Sequence, residues 1–352
     1  VLLDLAVVML VSLAASTLAC RLIIWTGPID QPNEARKQHR VATPTSGGIG
    51  VGVGYAIGLA LLTFVSTVWR HEVHPIGLRM LWASAAFAYP LLVIGFVDDV
   101  WHLGARLKFV LYSLIALAAA YFIGVVNVFP VTQDFTLFLP FGVALVGTAL
   151  WVFTMINCVN FMDGSNGLAL GSVGVALLAL AAISLSEGVP SGSAISLCGA
   201  GAVLGFLVWN FPNGKLFAGD SGALFGGALG AFASMIVIAR ADISPFVPPI
   251  LFFPLLADAL LTLFLRWRAG RPLLVAHAEH HYQLGIRGGL SHARVAMIYW
   301  LATAGCGVLG FFVSREADPA AEWIALIALG LLAITCSSFV RRWAADRNLL
   351  ST

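Results

Sequence analysis

The sequence predicts an all-α, polytopic integral membrane protein, and three observations carry that expectation. Hydrophobic residues make up 60% of the 352 positions, and charged residues only 10%. A water-soluble domain carries roughly a quarter charged residues, so this chain has too little polar surface to cover itself in water. Its apolar runs also repeatedly reach the about 20 residues that a helix needs to cross the hydrocarbon core of a bilayer. The length allows many spans and leaves little room for a separate soluble domain.

Turn and charge clusters cut the apolar runs into about eleven spans: 2–25, 47–69, 79–97, 107–126, 141–160, 167–186, 193–209, 221–239, 246–266, 295–314 and 321–340. The first is apolar but lacks a basic leading region and a small-residue cleavage site, so it reads as a span and not as a removed signal. An odd number of spans puts the two termini on opposite sides. Lys and Arg concentrate in cytoplasmic connections. Of the 19 such residues, only Arg70, Arg79, Arg240 and Arg315 fall on one side, and the other fifteen on the opposite one. The basic side is therefore read as cytoplasmic, with the N-terminus outside and the C-terminus inside.

The five cysteines are odd in number, form no CxxC, and mostly sit in apolar runs, as small buried hydrophobes do. The net charge of +2 gives no indication of a nucleic-acid partner. Placement is more informative. Asp30, Asp98, Asp99, Asp163 and Asp220 all fall on the cytoplasmic side beside helix ends, whereas the span centres are almost free of charge, Asp258 excepted. A transporter usually carries ionisable groups near the midplane, on broken helices. A polar layer at one face suits an enzyme that joins a water-soluble substrate to a lipid-embedded one. Asp258 is expected to pair with Arg266 or Arg268, or to support this layer from behind.

The stretch LLVIGFVDDVWHL (91–103) ends an apolar run in two adjacent carboxylates, Asp98 and Asp99, with Lys108 ten residues after the first. Two adjacent acids repel, which raises one pKa and leaves a group able to exchange protons. In NCVNFMDGSNGLALG (157–171), Asn157, Asn160 and Asp163 form an i,i+3 row if the helix runs through. Gly164 and Gly167 would break that helix and let a ligand approach. The Asn and Asp oxygens are hard ligands suited to magnesium, yet they serve equally as helix caps. WNFPNGKLFAGDSGALFGG (209–227) places Asn210, a Pro–Gly turn and Lys215 before Asp220 at a helix start, an N-cap or a phosphate site. In AHAEHHYQLGIRGGLSH (276–292), His277 and His281 share a face if the segment is helical, with His280 beside them. A zinc helix would need HExxH, and Glu279 is out of place for it. Imidazoles among arginines fit a diphosphate better. The loop DQPNEARKQHRVATPTSGGIG (30–50) joins basic residues to a small-residue helix start.

In order and spacing these stretches resemble the polyprenyl-phosphate N-acetylhexosamine-1-phosphate transferases, a family that includes lipid I synthase and the enzymes initiating O-antigen and common antigen. The matching segments are DQPN with PTSGG, FVDDVWHLGARLK, NCVNFMDGSNGL, NFPNGKLFAGDSG and AHAEHHYQ, which span residues 30–283. The resemblance implies one transmembrane catalytic domain over 1–352, its site built from segments 30–50, 98–108, 157–168, 210–222 and 267–294. It implies a bacterial cytoplasmic-membrane enzyme that moves an N-acetylaminosugar-1-phosphate from a UDP-sugar to polyprenyl (undecaprenyl) phosphate, releasing UMP at the cytoplasmic face. Magnesium, or manganese in its place, would be held by Asp220 and Asn160. Asp98 would deprotonate or position the lipid phosphate, supported by Asp99, and Lys108 would neutralise phosphate charge. Asp163, Gly164 and Asn166 would shape the nucleotide pocket, with Asn210 and Lys215 also on the substrate, and His277, His280 and His281 would bind the diphosphate.

There are two departures from the family pattern. Asn166 stands where many bacterial members have a second Asp, and the lost charge places it in base recognition and not in metal binding. Ala278 with Glu279 splits the histidines that lipid I synthases keep consecutive, so the resemblance favours the O-antigen or common-antigen branch over a UDP-MurNAc-pentapeptide enzyme. A polytopic lipid or sugar transporter is the alternative from another class. A CDP-alcohol phosphotransferase is disfavoured because DGSNGLALG lacks that family's Arg and later acids. Gly-rich spans would allow a homodimer as readily as close packing within one chain.

Overall fold

The computed structural model describes residues 2–30, 42–65, 75–273, 275, 277–316 and 318–350. The helices are α1 (Leu2–Thr26), α2 (Gly48–Phe64), α3 (Pro75–Trp101), α4 (Ala105–Ile123), α5 (Phe141–Met162), α6 (Leu168–Ser186), α7 (Pro190–Asn210), α8 (Gly219–Ala241), α9 (Val247–Leu251), α10 (Phe253–Arg268), α11 (His281–Arg287), α12 (His292–Val313) and α13 (Pro319–Ala345). Two short antiparallel ribbons join them, β1 (Ile29–Asp30) with β2 (Thr43–Pro44), and β3 (Val128–Pro130) with β4 (Thr136–Phe138). Among the described residues nine helices are long and apolar enough to cross a membrane, and the chain is a polytopic membrane protein.

Most expected spans match a helix to within a few residues, with three instructive differences. The span expected over 246–266 is two helices, α9 and α10, broken at Phe252. Pro254 has no N–H to continue the ladder across the break. The span expected to end at 97 runs on to Trp101, so Asp98 and Asp99 lie in the last turn of α3 and not beyond it. The segment with the histidines is not one helix: His277 lies in irregular chain, and α11 begins only at His281. The i,i+4 relation expected for His277 and His281 therefore does not exist. Part of the expected second span (66–69) and the loop residues Asn33, Arg36, Lys37, His39 and Arg40 lie outside the described residues.

The centre of the bundle is α6, α7 and α8, whose apolar stretches are 72%, 83% and 89% buried, against 11% for α13. Lipid tails are as apolar as Leu, so helices in a bilayer associate through close packing of small side chains. Helix α8 shows this along GDSGALFGGALGAFAS, packed against α3, α5, α6 and α7. At its N-terminal end it sits between Gly48 of α2 and Gly95 of α3. A Cβ on Gly95 would come within 2.5 Å of the Asp220 and Ser221 backbone, and one on Gly48 would strike Gly222. These close approaches bring the start of α8 against the end of α3, where the acidic residues meet. The PTSGG segment is bonded to the same place: Gly47 N–H donates to Phe217 O (2.8 Å), Gly48 N–H to Ala218 O (3.1 Å), and Phe217 N–H to Pro44 O (2.9 Å).

Candidate functional site

Four helix ends converge on one cluster. The end of α3 supplies Asp98 and Asp99, the start of α4 supplies Lys108, the end of α5 supplies Asn160 and Asp163, and the start of α8 supplies Asp220. The Lys108 ammonium donates to Asp98 Oδ2 at 2.6 Å and lies 3.5 Å from Asp220 Oδ2. Leu103 N–H donates to Asp98 Oδ1 at 2.6 Å, so both oxygens of this buried carboxylate are engaged. Asn160 Nδ2 donates to Asp220 Oδ1 at 3.0 Å.

The two adjacent acids have separate environments. Asp99 accepts from Asp220 N–H (2.7 Å) and Ser221 N–H (3.4 Å), and from the Ser46 hydroxyl (3.3 Å). It thus caps the N-terminus of α8 from a neighbouring helix, the end where a carboxylate is favoured by free N–H groups and the helix dipole. Gly219 precedes this cap at φ +70, and a Cβ there would run into the Asp99 carboxylate. Asp99 therefore orients Asp220, while Asp98 holds the ammonium between them.

Asp163 ends α5, and its carboxyl is pushed well above the usual carboxylate range, first by burial and then by the nearby charges of Asp220 and Asp99. The loop that follows is tied down on every side. Gly167 N–H donates to Asn210 Oδ1 (2.5 Å), Trp300 Nε1 to Gly167 O (2.8 Å), and Asn166 Nδ2 to Pro212 O (3.1 Å). Asn210 is buried and its own Nδ2 donates to Leu216 O (2.8 Å), so it serves as a latch between two loops. Gly164 is exposed but abuts Tyr282 on one side, where a Cβ would strike the hydroxyl that donates to Phe161 O (3.2 Å). Asn157, expected to share the face of Asn160, turns its amide back on Phe153 O (2.7 Å). Lys215 lines an open depression with Thr43, Pro44 and Trp209. Among the described residues no ion pair joins it to the aspartates.

Of the two roles expected for Asp258, pairing with Arg266 or Arg268 does not occur, and it supports the polar layer from behind by holding the histidine segment. It accepts from His281 N–H (2.8 Å), His281 Nδ1 (2.9 Å), Tyr282 N–H (3.1 Å) and the Tyr299 hydroxyl (2.5 Å). His281 Nε2 lies 2.8 Å from Ser337 Oγ, so both its ring nitrogens are occupied. His280 is only 3% exposed, with its ring over Phe161, the residue after Asn160. The half-buried His277 ring lies 4.9 Å from that of His280. Burial, aided by His280 and Arg266, pushes its pKa down to about 4, so the free protein carries it neutral at pH 7. Glu279, out of place for zinc, is buried against Arg266 (2.5 Å) and Arg271 (2.9 Å), with Arg341 of α13 at 3.7 Å. The Asp258, Ser337 and Arg341 partnerships join segments far apart in the chain and have no local sequence signal, whereas Arg271–Glu279 and His277–His280 lie within the connection from α10 to α11.

A family model for glycosyl transferase family 4 matches residues 80–238, which include Asp98, Lys108, Asn160, Asp163 and Asp220. A decaprenyl-phosphate N-acetylglucosaminephosphotransferase of Mycobacterium tuberculosis is 30% identical over 330 residues, covering 86% of this chain and 80% of that protein. A probable undecaprenyl-phosphate N-acetylglucosaminyl 1-phosphate transferase of Bacillus subtilis is 27% identical over 322 residues, 89% of this chain and 84% of its own length. A phospho-N-acetylmuramoyl-pentapeptide-transferase of Rubrobacter xylanophilus is 29% identical over 298 residues, 78% and 84% of the two chains.

Proposed function

The chain belongs to glycosyl transferase family 4, and from that premise we propose that it transfers an N-acetylhexosamine-1-phosphate from a UDP-sugar to a polyprenyl phosphate, leaving UMP and a polyprenyl-diphospho-sugar. The observation that carries the reading is the bridge of Lys108 between Asp98 and Asp220 where the ends of α3, α4, α5 and α8 meet. It gathers a cation and hard oxygen ligands at a membrane-spanning bundle's edge. A transporter would instead place its ionisable groups at mid-span.

In the reaction an oxygen of the lipid phosphate forms a bond to the β-phosphorus. The bond from that phosphorus to the bridging oxygen breaks, and the bridging oxygen leaves with UMP. Phosphoryl transfer of this kind depends on positioning and on neutralising oxygen charge. Lys108 meets the incoming lipid phosphate, and Asp98, with both oxygens engaged, serves better to hold Lys108 than to take a proton. Asp99 aims Asp220 by fixing the first N–H groups of α8. Asp163, Gly164 and Asn166 form the nucleotide side of the site, with Asn210 and Lys215 supporting it. His277 faces the diphosphate, and the enclosed His280 and His281 hold that segment in place.

The family implies a divalent cation, and the residues fit one. Among the described residues no three His, Cys, Asp or Glu side chains close around a point. Magnesium, however, usually takes only one or two carboxylates and draws its other ligands from water and substrate phosphates. Asp220, whose side chain is 32% exposed, and the adjoining Asn160 would hold it. When bound it supplies charge neutralisation to the diphosphate oxygens.

We further place the site at the cytoplasmic face of a bacterial inner membrane, with the N-terminus outside. The uneven distribution of Lys and Arg supports this, as does the ion-pair group that joins Glu279 to the basic ends of α10 and α13. UDP-GlcNAc is the donor we favour, because two of the relatives described above are N-acetylglucosamine enzymes and the histidines are split by the buried, arginine-bound Glu279. The product then enters O-antigen or another cell-envelope glycan. The test is a donor panel with undecaprenyl phosphate. UMP release should be fastest with UDP-GlcNAc, and a preference for UDP-MurNAc-pentapeptide would move the enzyme to lipid I synthesis.

A further inference from the structure

Asp258 is 4% exposed, sits in the second half of the broken α9–α10 pair, and belongs to none of the motifs that define the aspartate cluster. Its two oxygens nevertheless collect the first two N–H groups of α11, the His281 ring, the Tyr299 hydroxyl and the Thr262 hydroxyl (3.2 Å), with His280 Nδ1 at 3.5 Å. A carboxylate this enclosed is costly unless every lone pair is used, so the arrangement fixes both the carboxylate and what it binds. The fixed groups lead back to the reaction site. Tyr282 reaches from the same turn to the Phe161 carbonyl, and the His280 ring lies over Phe161, next to Asn160. From His280 the contact passes to the His277 ring.

We propose that Asp258 is the positioning residue of the histidine segment: it sets the register of residues 277–282 against the end of α5, so that His277 meets the donor diphosphate beside Asn160 and Asp220. The proposal rests on the sugar-phosphate transferase reading given above. It assigns His281 a holding role, since Asp258 takes Nδ1 and Ser337 faces Nε2. The loss of Asp258 should fall on the nucleotide-sugar side and leave the lipid side alone, because the contacts it orders run to α5 and not to α4.

Two measurements on full-length protein test it. Hydrogen exchange of Asp258→Asn should accelerate by about tenfold in residues 278–287 and stay unchanged at the starts of α4 and α8, because local opening is confined to the unit that lost its anchor. In UMP-release kinetics the same variant should lose about 10²-fold in kcat/KM for the UDP-sugar, the scale of a misplacement of about 1 Å, with KM for the lipid phosphate unchanged. In a His277→Ala background the added loss should shrink to less than about threefold, as for groups that act as a unit. Ser337→Ala frees only His281 Nε2 and should show the same donor-side pattern more mildly, which keeps the test open if Asp258→Asn does not fold. Unchanged exchange in 278–287, a KM for the lipid phosphate raised as much as that for the UDP-sugar, or full additivity with His277→Ala would overturn the proposal. Wild-type protein that releases no UMP would overturn the functional reading itself, a result distinguishable because it does not involve the variants.

Discussion

Replacing Lys108 by Met separates the two things this residue does. The ammonium is 2.6 Å from Asp98 and 3.5 Å from Asp220, with the Lys108 side chain 27% exposed and that of Asp98 only 7%. Breaking a fully buried pair by removing one partner costs about 3–5 kcal/mol, because the other charge is left without compensation. Here water reaches the lysine and screens the pair, so the cost falls below that scale, to about 2–3 kcal/mol. Activity should suffer more. In the proposed reaction two phosphate groups approach each other beside Lys108, and deleting one preorganised cationic donor typically costs about 10²–10³ in kcat. Thermal unfolding in detergent and UMP release on the same preparations give the two numbers. The double variant Lys108→Met with Asp98→Asn should recover most of the lost stability, since no buried charge then remains unpaired, and none of the activity. Wild-type turnover in Lys108→Met, or activity restored in the double variant, would refute the assignment of Lys108 to phosphate charge.

Gly219→Ala should be destabilising by about 2–4 kcal/mol, from a left-handed backbone and a displaced Asp99 cap, and should lower activity through Asp220; unfolding midpoints and UMP release read both. Asn210→Ala should cost about 1–3 kcal/mol in unfolding experiments, because it leaves the Gly167 N–H and the Leu216 carbonyl without a partner, whereas Asn210→Asp should spare the Gly167 bond alone. His277 has its pKa depressed to about 4, so the folded protein binds fewer protons there than the unfolded chain. Its contribution to stability is complete above about 6.5 and is lost as pH falls toward 4. A His277→Gln variant should therefore show a flatter decline of its unfolding midpoint across that interval than wild type does.

Much of the fold was legible because lipid imposes length and apolarity, which survive in a single sequence. The break at Phe252 was also signalled, by Pro248, Pro249 and Pro254 in FVPPILFFPLLAD, but the continuous apolarity of 246–266 masked it. The acidic cluster was legible as a set of residue types at helix ends, and the structure brings Asp98, Asp99, Lys108, Asn160 and Asp220 together. Their division of labour was less so. Adjacent residues on a helix point about 100° apart, so Asp98 turns to Lys108 while Asp99 turns to α8, and only tertiary packing decides which neighbour each meets. The histidines were read on a helical period that the chain does not adopt there. For Asp258 the sequence leaves two roles open, a pair with Arg266 or Arg268 and support of the polar layer from behind, and the choice rests on partners 23 and 41 residues further along that only the packing brings together. Asn157 and Asn210 illustrate the same limit: one serves its own helix backbone and the other latches two loops, a difference no spacing reveals.

The central claim is that the aspartate–lysine cluster joins a sugar phosphate to a lipid phosphate. Its most direct test is product analysis with purified protein, undecaprenyl phosphate, UDP-GlcNAc and magnesium, run beside Asp98→Asn and Asp220→Ala. The account predicts UMP and a polyprenyl-diphospho-N-acetylglucosamine in equal amounts, strictly dependent on the lipid and lost in both variants. Release of UDP in place of UMP, or nucleotide release without the lipid, would contradict it.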